Sequence, residues 1–84
     1  MIENAKYLYD FLFEITFDDH TVRVVDLGAF FAQKHPLIRK FATPELAKDF
    51  YIEDGTLCWG DNECEIDSFD IYEGKYDIHL EYAH

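Results

Sequence analysis

The chain has 84 residues, of which 49% are hydrophobic and 18% are aromatic. This length suits a single domain over residues 1–84, and the aromatic content excludes a disordered tail. Eighteen acidic residues outnumber seven lysines and arginines, which gives a net charge of −11. Direct nucleic-acid binding is therefore not expected, since contacts to phosphate need clustered basic side chains. The charge suits a basic protein partner, and it equally suits solubility alone.

The sequence shows no secretory signal, membrane-spanning segment or lipidation motif. Its two cysteines, Cys58 and Cys64, fall short of a disulfide framework. Disulfides persist in oxidising compartments and are rare in the cytoplasm. We therefore expect a cytoplasmic protein that does not bind membranes.

The first predicted element is a strand over residues 7–17. Apolar side chains occupy every odd position of this segment, the period of a strand with one buried face: Tyr7, Tyr9, Phe11, Phe13, Ile15 and Phe17. A turn around Asp19 and His20 follows, and the sequence TVRVV continues as a second strand. If these two residues form the loop, Phe17 lies opposite Val22.

Two helix starts follow the first hairpin. Asp26 can cap a helix over residues 27–34, and Pro36 ends that helix. Thr43 and Pro44 mark the second start, where a capping residue precedes a proline at the first helical position. The sequence therefore predicts one or two short helices in the middle of the chain.

The second hairpin has a strong turn signal, because the Asp-Gly pair at 54–55 favours a type I′ turn. With this pair in the loop, Ile52 lies opposite Leu57 and Phe50 opposite Trp59. The pairing places Trp59 in the core. Alternatively, its indole borders an exposed patch and anchors a partner, since tryptophan is enriched in binding hot spots.

The last part of the chain contains a helical turn and a strand. Ile66, Phe69 and Tyr72 have the spacing to anchor a short helical turn, which ends at Gly74. Residues 76–82 alternate apolar with polar side chains, which predicts a C-terminal strand. The order of elements predicts an α+β domain in which two antiparallel β-hairpins form a small sheet, with one or two short helices packed on one face and the C-terminal strand added.

The segment after the second hairpin is strongly acidic, and it holds no lysine or arginine before Lys75. Six carboxylates form the candidate interaction surface, called the acidic surface below: Asp61, Glu63, Glu65, Asp67, Asp70 and Glu73. They can attract a basic partner protein, or they can simply keep this end of the fold solvated.

The residue pattern contains no recognisable catalytic or metal-binding constellation. Cys58 and Cys64 are farther apart than the usual pair of zinc ligands, and the acids lack the offsets of an EF-hand loop. Ser68 is the only serine and has no histidine near it in sequence. The four glycines form no phosphate-binding loop. We predict no catalytic residue, no metal ligand and no cofactor, and hence no enzyme activity.

Short motifs stand in a fixed order between residues 11 and 72. They are Phe17-Asp18-Asp19, Val25-Asp26-Leu27, Phe50 with Ile52, Gly55-Thr56-Leu57, Trp59-Gly60-Asp61-Asn62, Glu65-Ile66 and Ile71-Tyr72. This ordered set resembles a bacterial family, the domain of unknown function 2442 family. The structural signature of the resemblance consists of Phe17, Asp26, Phe50, Gly55, Trp59 and Tyr72. Residues 75–84 lie beyond the matching segment, as a C-terminal extension.

The family resemblance implies a small α+β domain without an established activity. Some members resemble the front part of proteins that end in a helix-turn-helix, and others resemble companions of a second small protein, as in toxin–antitoxin pairs. This sequence shows no such DNA-binding helix pair. The family usually has glycine at the position of His20, and it often has proline directly after the tryptophan, where this chain has Gly60.

We therefore expect a non-enzymatic interaction domain that acts through protein–protein contact or self-association. The C-terminal strand is a candidate contact for a homodimer, because an edge strand must be covered or paired. The first alternative is an antitoxin-like or regulatory companion that neutralises a basic partner. The second alternative is a small hydrolase or a metal-binding protein.

Overall fold

A computed structural model describes residues 1–78, and within this part of the chain the strands form two antiparallel sheets of three strands each. The strands are β1 (Ile2–Tyr9), β2 (Leu12–Phe17), β3 (Val22–Asp26), β4 (Tyr51–Glu53), β5 (Thr56–Trp59) and β6 (Cys64–Ile66). The helices are α1 (Gly28–Phe31), α2 (Pro36–Arg39), α3 (Pro44–Ala47) and α4 (Ser68–Tyr72). The sheet orders are β1-β2-β3 and β4-β5-β6. The α+β class is confirmed, but the two predicted hairpins lie in separate sheets and each sheet has a third strand.

The predicted strand over residues 7–17 is two strands joined by a tight turn. Asp10 adopts a φ of 52° in this turn, a left-handed conformation that aspartate tolerates better than most residues. A register shift between Tyr7 and Tyr9 then aligns Tyr7 with Phe13. Ala5 and Tyr7 therefore pair with odd positions of β2. Tyr9 instead pairs with Leu12 and is 61% exposed, so the predicted buried face is interrupted at the turn.

The predicted pairing of Phe17 with Val22 is wrong by one residue. The loop between β2 and β3 has three residues, since the amide of Phe17 donates to the carbonyl oxygen of Thr21 at 2.8 Å. His20 ends this loop with a φ of 73°. The additional loop residue shifts the register, so Val22 pairs with Thr16. Val22 consequently lies on the outer side of the sheet, where it is 52% exposed.

The core is formed by apolar side chains from both sheets and from the helical segment. Side chains with an exposed fraction of 1% or less are Phe13, Ile15, Phe17, Val25, Leu27, Phe31, Ala47, Leu57, Trp59 and Ile71. Trp59 packs edge-on against Phe13 and Phe31, with ring centroids 6.4 and 5.0 Å apart. The prediction that Trp59 belongs to the core is confirmed, so its ring cannot serve as the exposed anchor of the alternative interpretation.

The helices are single turns, and only some of their starts follow the capping signals of the sequence. Helix α1 starts at Gly28 and ends at Phe31, within the predicted range 27–34. The prediction that Asp26 caps this helix is wrong, because the N-cap is Leu27 and the Asp26 carboxylate accepts a hydrogen bond from the amide of Gly28 at 2.8 Å. Pro36, predicted only to end a helix, also begins α2, whose N-cap is His35. Helix α3 begins as predicted, with the Thr43 hydroxyl oxygen accepting a bond from a backbone amide at 3.3 Å.

The second hairpin largely follows the sequence. Ile52 pairs with Leu57, and residues 54–55 have φ values of 52° and 74°, as a type I′ turn requires. Phe50 precedes β4, so the ladder keeps the predicted register but ends before the predicted pair of Phe50 and Trp59. Strand β6 then adds a third strand beside β5.

The end of the described region runs along β3. The amide of Asp26 donates to the carbonyl oxygen of Tyr76 at 3.0 Å, and the amide of Ile78 donates to that of Val24 at 3.2 Å. These bonds occupy part of the β3 edge within the same chain. The predicted C-terminal strand over 76–82 starts here, and its part beyond Ile78 lies outside the described residues.

Candidate functional site

The predicted acidic surface spans the loop before β6, β6 itself and helix α4. Its exposed members are Asp61, Glu65, Asp67 and Glu73, and its half-buried members are Glu63 and Asp70. The six carboxylates thus lie on three consecutive elements, and four of them are exposed.

Two of the six carboxylates have basic neighbours that the local sequence does not show. Lys40, at the end of α2, places its ammonium 2.8 Å from Glu63, and Lys75 lies 3.7 Å from Asp70. The hydrogen bond from Lys40 lowers the pKa of Glu63. The acidic surface is therefore partly neutralised by residues that the fold brings to it.

A third carboxylate has a structural role. Asp67 is the N-cap of α4, and its Oδ1 atom accepts a hydrogen bond from the amide of Phe69 at 2.9 Å. Within residues 1–78, no lysine or arginine forms an ion pair with Asp61, Glu65 or Glu73. These three acids are the ones most available to an external cation.

Helix α4 presents a different residue to the core from the one predicted. Phe69 is 60% exposed, whereas Ile71 is fully buried. The prediction placed Ile66 and Phe69 on the same face of one helical turn. In the structure Ile66 belongs to β6, and the helix begins only at Ser68. Because the helical phase starts two residues later, Phe69 points outward and Ile71 takes the inward position.

A pocket of about 380 Å³ lies between the β2–β3 turn and α4; we call it the turn pocket. Its lining residues are Met1, Phe17, Asp18, Asp19, Ser68, Phe69 and Tyr72. Phe17 is buried, Tyr72 is half-buried and Phe69 is exposed. The pocket thus combines an aromatic lining with two exposed carboxylates of the turn, Asp18 and Asp19.

Tyr72 and Asp19 form the best-defined polar contact of the turn pocket. The Tyr72 hydroxyl donates to Asp19 Oδ2 at 2.6 Å. This bond, followed by the bond from the Thr21 amide, lowers the pKa of Asp19 from 3.8 to about 2. The Tyr72 ring packs edge-on against Phe17 at 5.0 Å, and the Tyr72 carbonyl oxygen accepts a bond from Arg23 at 3.1 Å. Asp19 is therefore ionised and its position is fixed.

Asp18 is held more loosely. The α-ammonium group of Met1 lies 3.4 Å from Asp18 Oδ1, and the two groups are 63% and 59% exposed. An ion pair this exposed contributes little to stability. Asp18 therefore remains open to exchange between this ammonium and another cation.

A second pocket, of about 420 Å³, lies on the other side of Ser68. Thr56, Glu65, Ile66, Asp67 and Ser68 line it. Two members of the acidic surface, Glu65 and Asp67, therefore border this pocket, and its lining shares only Ser68 with the turn pocket.

The two cysteines are free thiols, and both are buried. Cys64 pairs with Trp59 across the ladder and Cys58 pairs with Glu65, so the thiols lie on opposite faces of the sheet. Burial raises the pKa of Cys64 to about 11 and also raises the pKa of Cys58. Neither thiol is set up as a thiolate nucleophile. In the described part of the chain, no group of three His, Cys, Asp or Glu side chains could hold a metal ion.

Comparison with known proteins supplies the family. A family model described as a protein of unknown function (DUF2442) matches residues 2–77. The chain belongs to the DUF2442 family. The match is longer than the predicted 11–72, so in this DUF2442 protein the first strand and the residues along the β3 edge lie inside the family domain. Searches of curated proteins and of solved structures found no match. Among the described residues, no helix is long and apolar enough to cross a membrane.

Proposed function

We propose that this DUF2442 chain is a non-enzymatic interaction domain that binds a basic protein partner through its acidic surface. The observation that carries the proposal is Phe69, which is 60% exposed on α4 and stands between Asp67 and Asp70 in the sequence. Burying a side chain of this size contributes about 1.5–3 kcal/mol, and aromatic residues are enriched in protein interfaces. Helix α4 thus offers an exposed apolar contact on the same element as two of the six carboxylates, its N-cap Asp67 and Asp70.

The electrostatics support a basic partner. Asp61, Glu65 and Glu73 are exposed and belong to a chain with a net charge of −11. Such a surface attracts a basic protein over a distance of about 10 Å at moderate salt, and higher salt weakens the attraction. A companion protein that neutralises a basic partner is one form of this role.

A homodimer formed by the C-terminal strand is the alternative form of this proposal. Tyr76 and Ile78 bond to the β3 edge of their own chain, so a second copy could pair only with the other edge of this segment. We also propose a cytoplasmic location. It is supported by the two buried thiols on opposite faces of the second sheet, since they cannot bridge each other.

The test is affinity capture of the tagged chain from a lysate of its own source at low and high salt, read by mass spectrometry. The test variant neutralises three exposed acids that have no capping role: Asp61→Asn, Glu65→Gln and Glu73→Gln. The control variant removes the same charge elsewhere on the exposed surface: Glu3→Gln, Glu14→Gln and Asp49→Asn. Circular dichroism checks that both variants are folded.

The proposal expects one basic protein at near-equal stoichiometry, lost at high salt and with the test variant but kept with the control variant. Equal capture by both variants would show that the acidic surface has no part in binding. Recovery of the bait alone at low salt would also overturn the proposal.

A further inference from the structure

The turn pocket has the chemistry to bind an organic cation. It combines the ionised carboxylate of Asp19, which is held by Tyr72, with the carboxylate of Asp18, which lies in loose contact with an ammonium group. The exposed aromatic ring of Phe69 completes the lining. We propose that the turn pocket receives a lysine or arginine side chain of the basic partner. This inference rests on the proposed function, and it adds the site and the chemistry of the contact.

Asp19 provides a preorganised acceptor. Its two oxygens are oriented separately, since Oδ1 accepts a hydrogen bond from the Thr21 amide at 2.9 Å and Oδ2 accepts one from Tyr72 at 2.6 Å. Each carboxylate oxygen has a second lone pair, so both can still accept from a cation. A group that is already fixed loses little conformational entropy on binding. Among residues 1–78, no lysine or arginine pairs with Asp19.

Asp18 shows that the rim of the pocket attracts a cation. The ammonium group of Met1 lies 3.4 Å from its Oδ1 atom, and both groups are more than half exposed. A lysine ammonium has the same chemistry and an arginine guanidinium adds a second donor. A lysine or an arginine side chain can therefore replace the Met1 ammonium beside Asp18, and no buried ion pair has to break.

The aromatic lining suits the remainder of such a side chain. Phe69 offers an exposed ring beside the rim, and the Tyr72 ring is fixed by its contacts at both ends. Lysine and arginine bury their alkyl stems against apolar surface while the charged group reaches polar partners. A cation over an aromatic face gains further attraction. The volume of about 380 Å³ accommodates one side chain of this kind.

The same features disfavour other ligands. Two carboxylates repel an anion, and a neutral apolar ligand would desolvate Asp18 and Asp19 without pairing them. In the described residues, no third metal-ligating side chain joins these two to form a cation cage. A monovalent organic cation therefore fits better than a metal ion.

The experiment uses n-butylammonium and n-butylguanidinium as probes, titrated into the labelled chain and followed by amide chemical shifts. Neutral n-butanol is the matched control for the alkyl part. Asp18→Asn and Phe69→Ala are the pocket variants, and Asp61→Asn is the control variant outside the pocket. The proposal expects saturating shifts at Asp18, Asp19 and Phe69 with the cations, and each pocket variant should weaken binding about two- to fivefold.

Three results of the titration would overturn the pocket proposal. Cation-induced shifts spread over all exposed carboxylates would show general charge screening. Equal responses to n-butanol and to the cations would show that the carboxylates have no role. Unchanged affinity in both pocket variants would count against it in the same way.

Partner capture with a combined Asp18→Asn and Asp19→Asn variant, which keeps Phe69, separates this inference from the proposed function. Loss of the partner together with loss of cation binding supports both. Retention of the partner overturns the pocket contact and leaves the acidic surface as the binding site. Saturable cation binding with no partner recovered would support the pocket as a cation site and would overturn the proposed function.

Discussion

The indole N–H of Trp59 donates a 2.6 Å hydrogen bond to the carbonyl oxygen of Ala47, and both residues are fully buried. Ala47 is the last residue of α3, and the carbonyl groups at a helix end have no partner within the helix. The bond satisfies one of these carbonyls and ties α3 to strand β5. Trp59 therefore contributes both packing and a polar link.

Replacing Trp59 separates these two contributions. Trp59→Phe keeps most of the ring but leaves the buried carbonyl of Ala47 without a donor, which should lower the free energy of unfolding by about 1–3 kcal/mol. Trp59→Ala also removes the packing against Phe13 and Phe31 and should cost about 3–5 kcal/mol. Urea unfolding followed by circular dichroism measures both. A Trp59→Phe variant as stable as the parent would show that the bond contributes nothing.

The first sheet shows where sequence patterns predict a strand but not its ends. Alternation in residues 7–17 predicts the buried positions Phe13, Ile15 and Phe17, but it fails at Tyr9, which is 61% exposed beside the turn. It gives no sign of the turn at Asp10, because apolar side chains occupy the odd positions on both sides of it. The loop before β3 was misjudged for a related reason, since a three-residue loop shifts the register by one without changing composition.

The candidate site could be predicted only in part. The six carboxylates of the acidic surface lie close together in the sequence, within residues 61–73, so the local composition predicts them. The turn pocket depends on the contact between Tyr72 and Asp19, which are 53 residues apart, and no local pattern joins such positions. The pairing of Lys40 with Glu63 was missed for the same reason, since proximity here arises from tertiary structure.

Tyr72→Phe should change the acid titration of Asp19. The folded-state pKa of about 2 lies below the ordinary value of 3.8, so the stabilisation is present above pH 3.8 and is lost as the pH falls towards 2. Without the Tyr72 hydroxyl, the pKa should rise towards 3.8, and the pH dependence of stability between these values should shrink. Carboxyl-carbon NMR titration measures the shift.

Tyr51→Phe is the control for this titration, because the Tyr51 hydroxyl contacts Asn62 and not Asp19. It should leave the pKa of Asp19 unchanged. The prediction fails if Asp19 titrates at the same pH in Tyr72→Phe as in the parent chain.

The backbone conformation of His20 is one that glycine adopts more readily than histidine. Its φ of 73° is open to glycine and unfavourable for side chains branched at Cβ. His20→Gly should leave stability within about 1 kcal/mol, since relief of the strain offsets the added chain entropy. His20→Val should lower stability by about 1–3 kcal/mol. The control is Thr16→Val in the middle of β2. Thermal unfolding compares the stability of these three variants with that of the parent chain.

Cys64 should react with alkylating reagents only when the chain unfolds. Its side chain is 3% exposed, and burial raises the pKa of the thiol to about 11, so little thiolate exists at pH 8. Cys58, also buried, should be protected in the same way. Iodoacetamide labelling with peptide mass mapping should show both modified in urea and neither in native buffer. Rapid native labelling of Cys64 would contradict the strand pairing of β6.

Substitutions in α4 test which side of this helix is buried. Ile71 is fully buried, and Ile71→Ala should cost about 2–5 kcal/mol because it leaves a cavity. Phe69 is 60% exposed, and Phe69→Ala should change stability by no more than about 0.5 kcal/mol. Urea unfolding of the two variants measures the difference. Equal losses would place Phe69 in the core, and the exposed aromatic contact on which both proposals depend would then not exist.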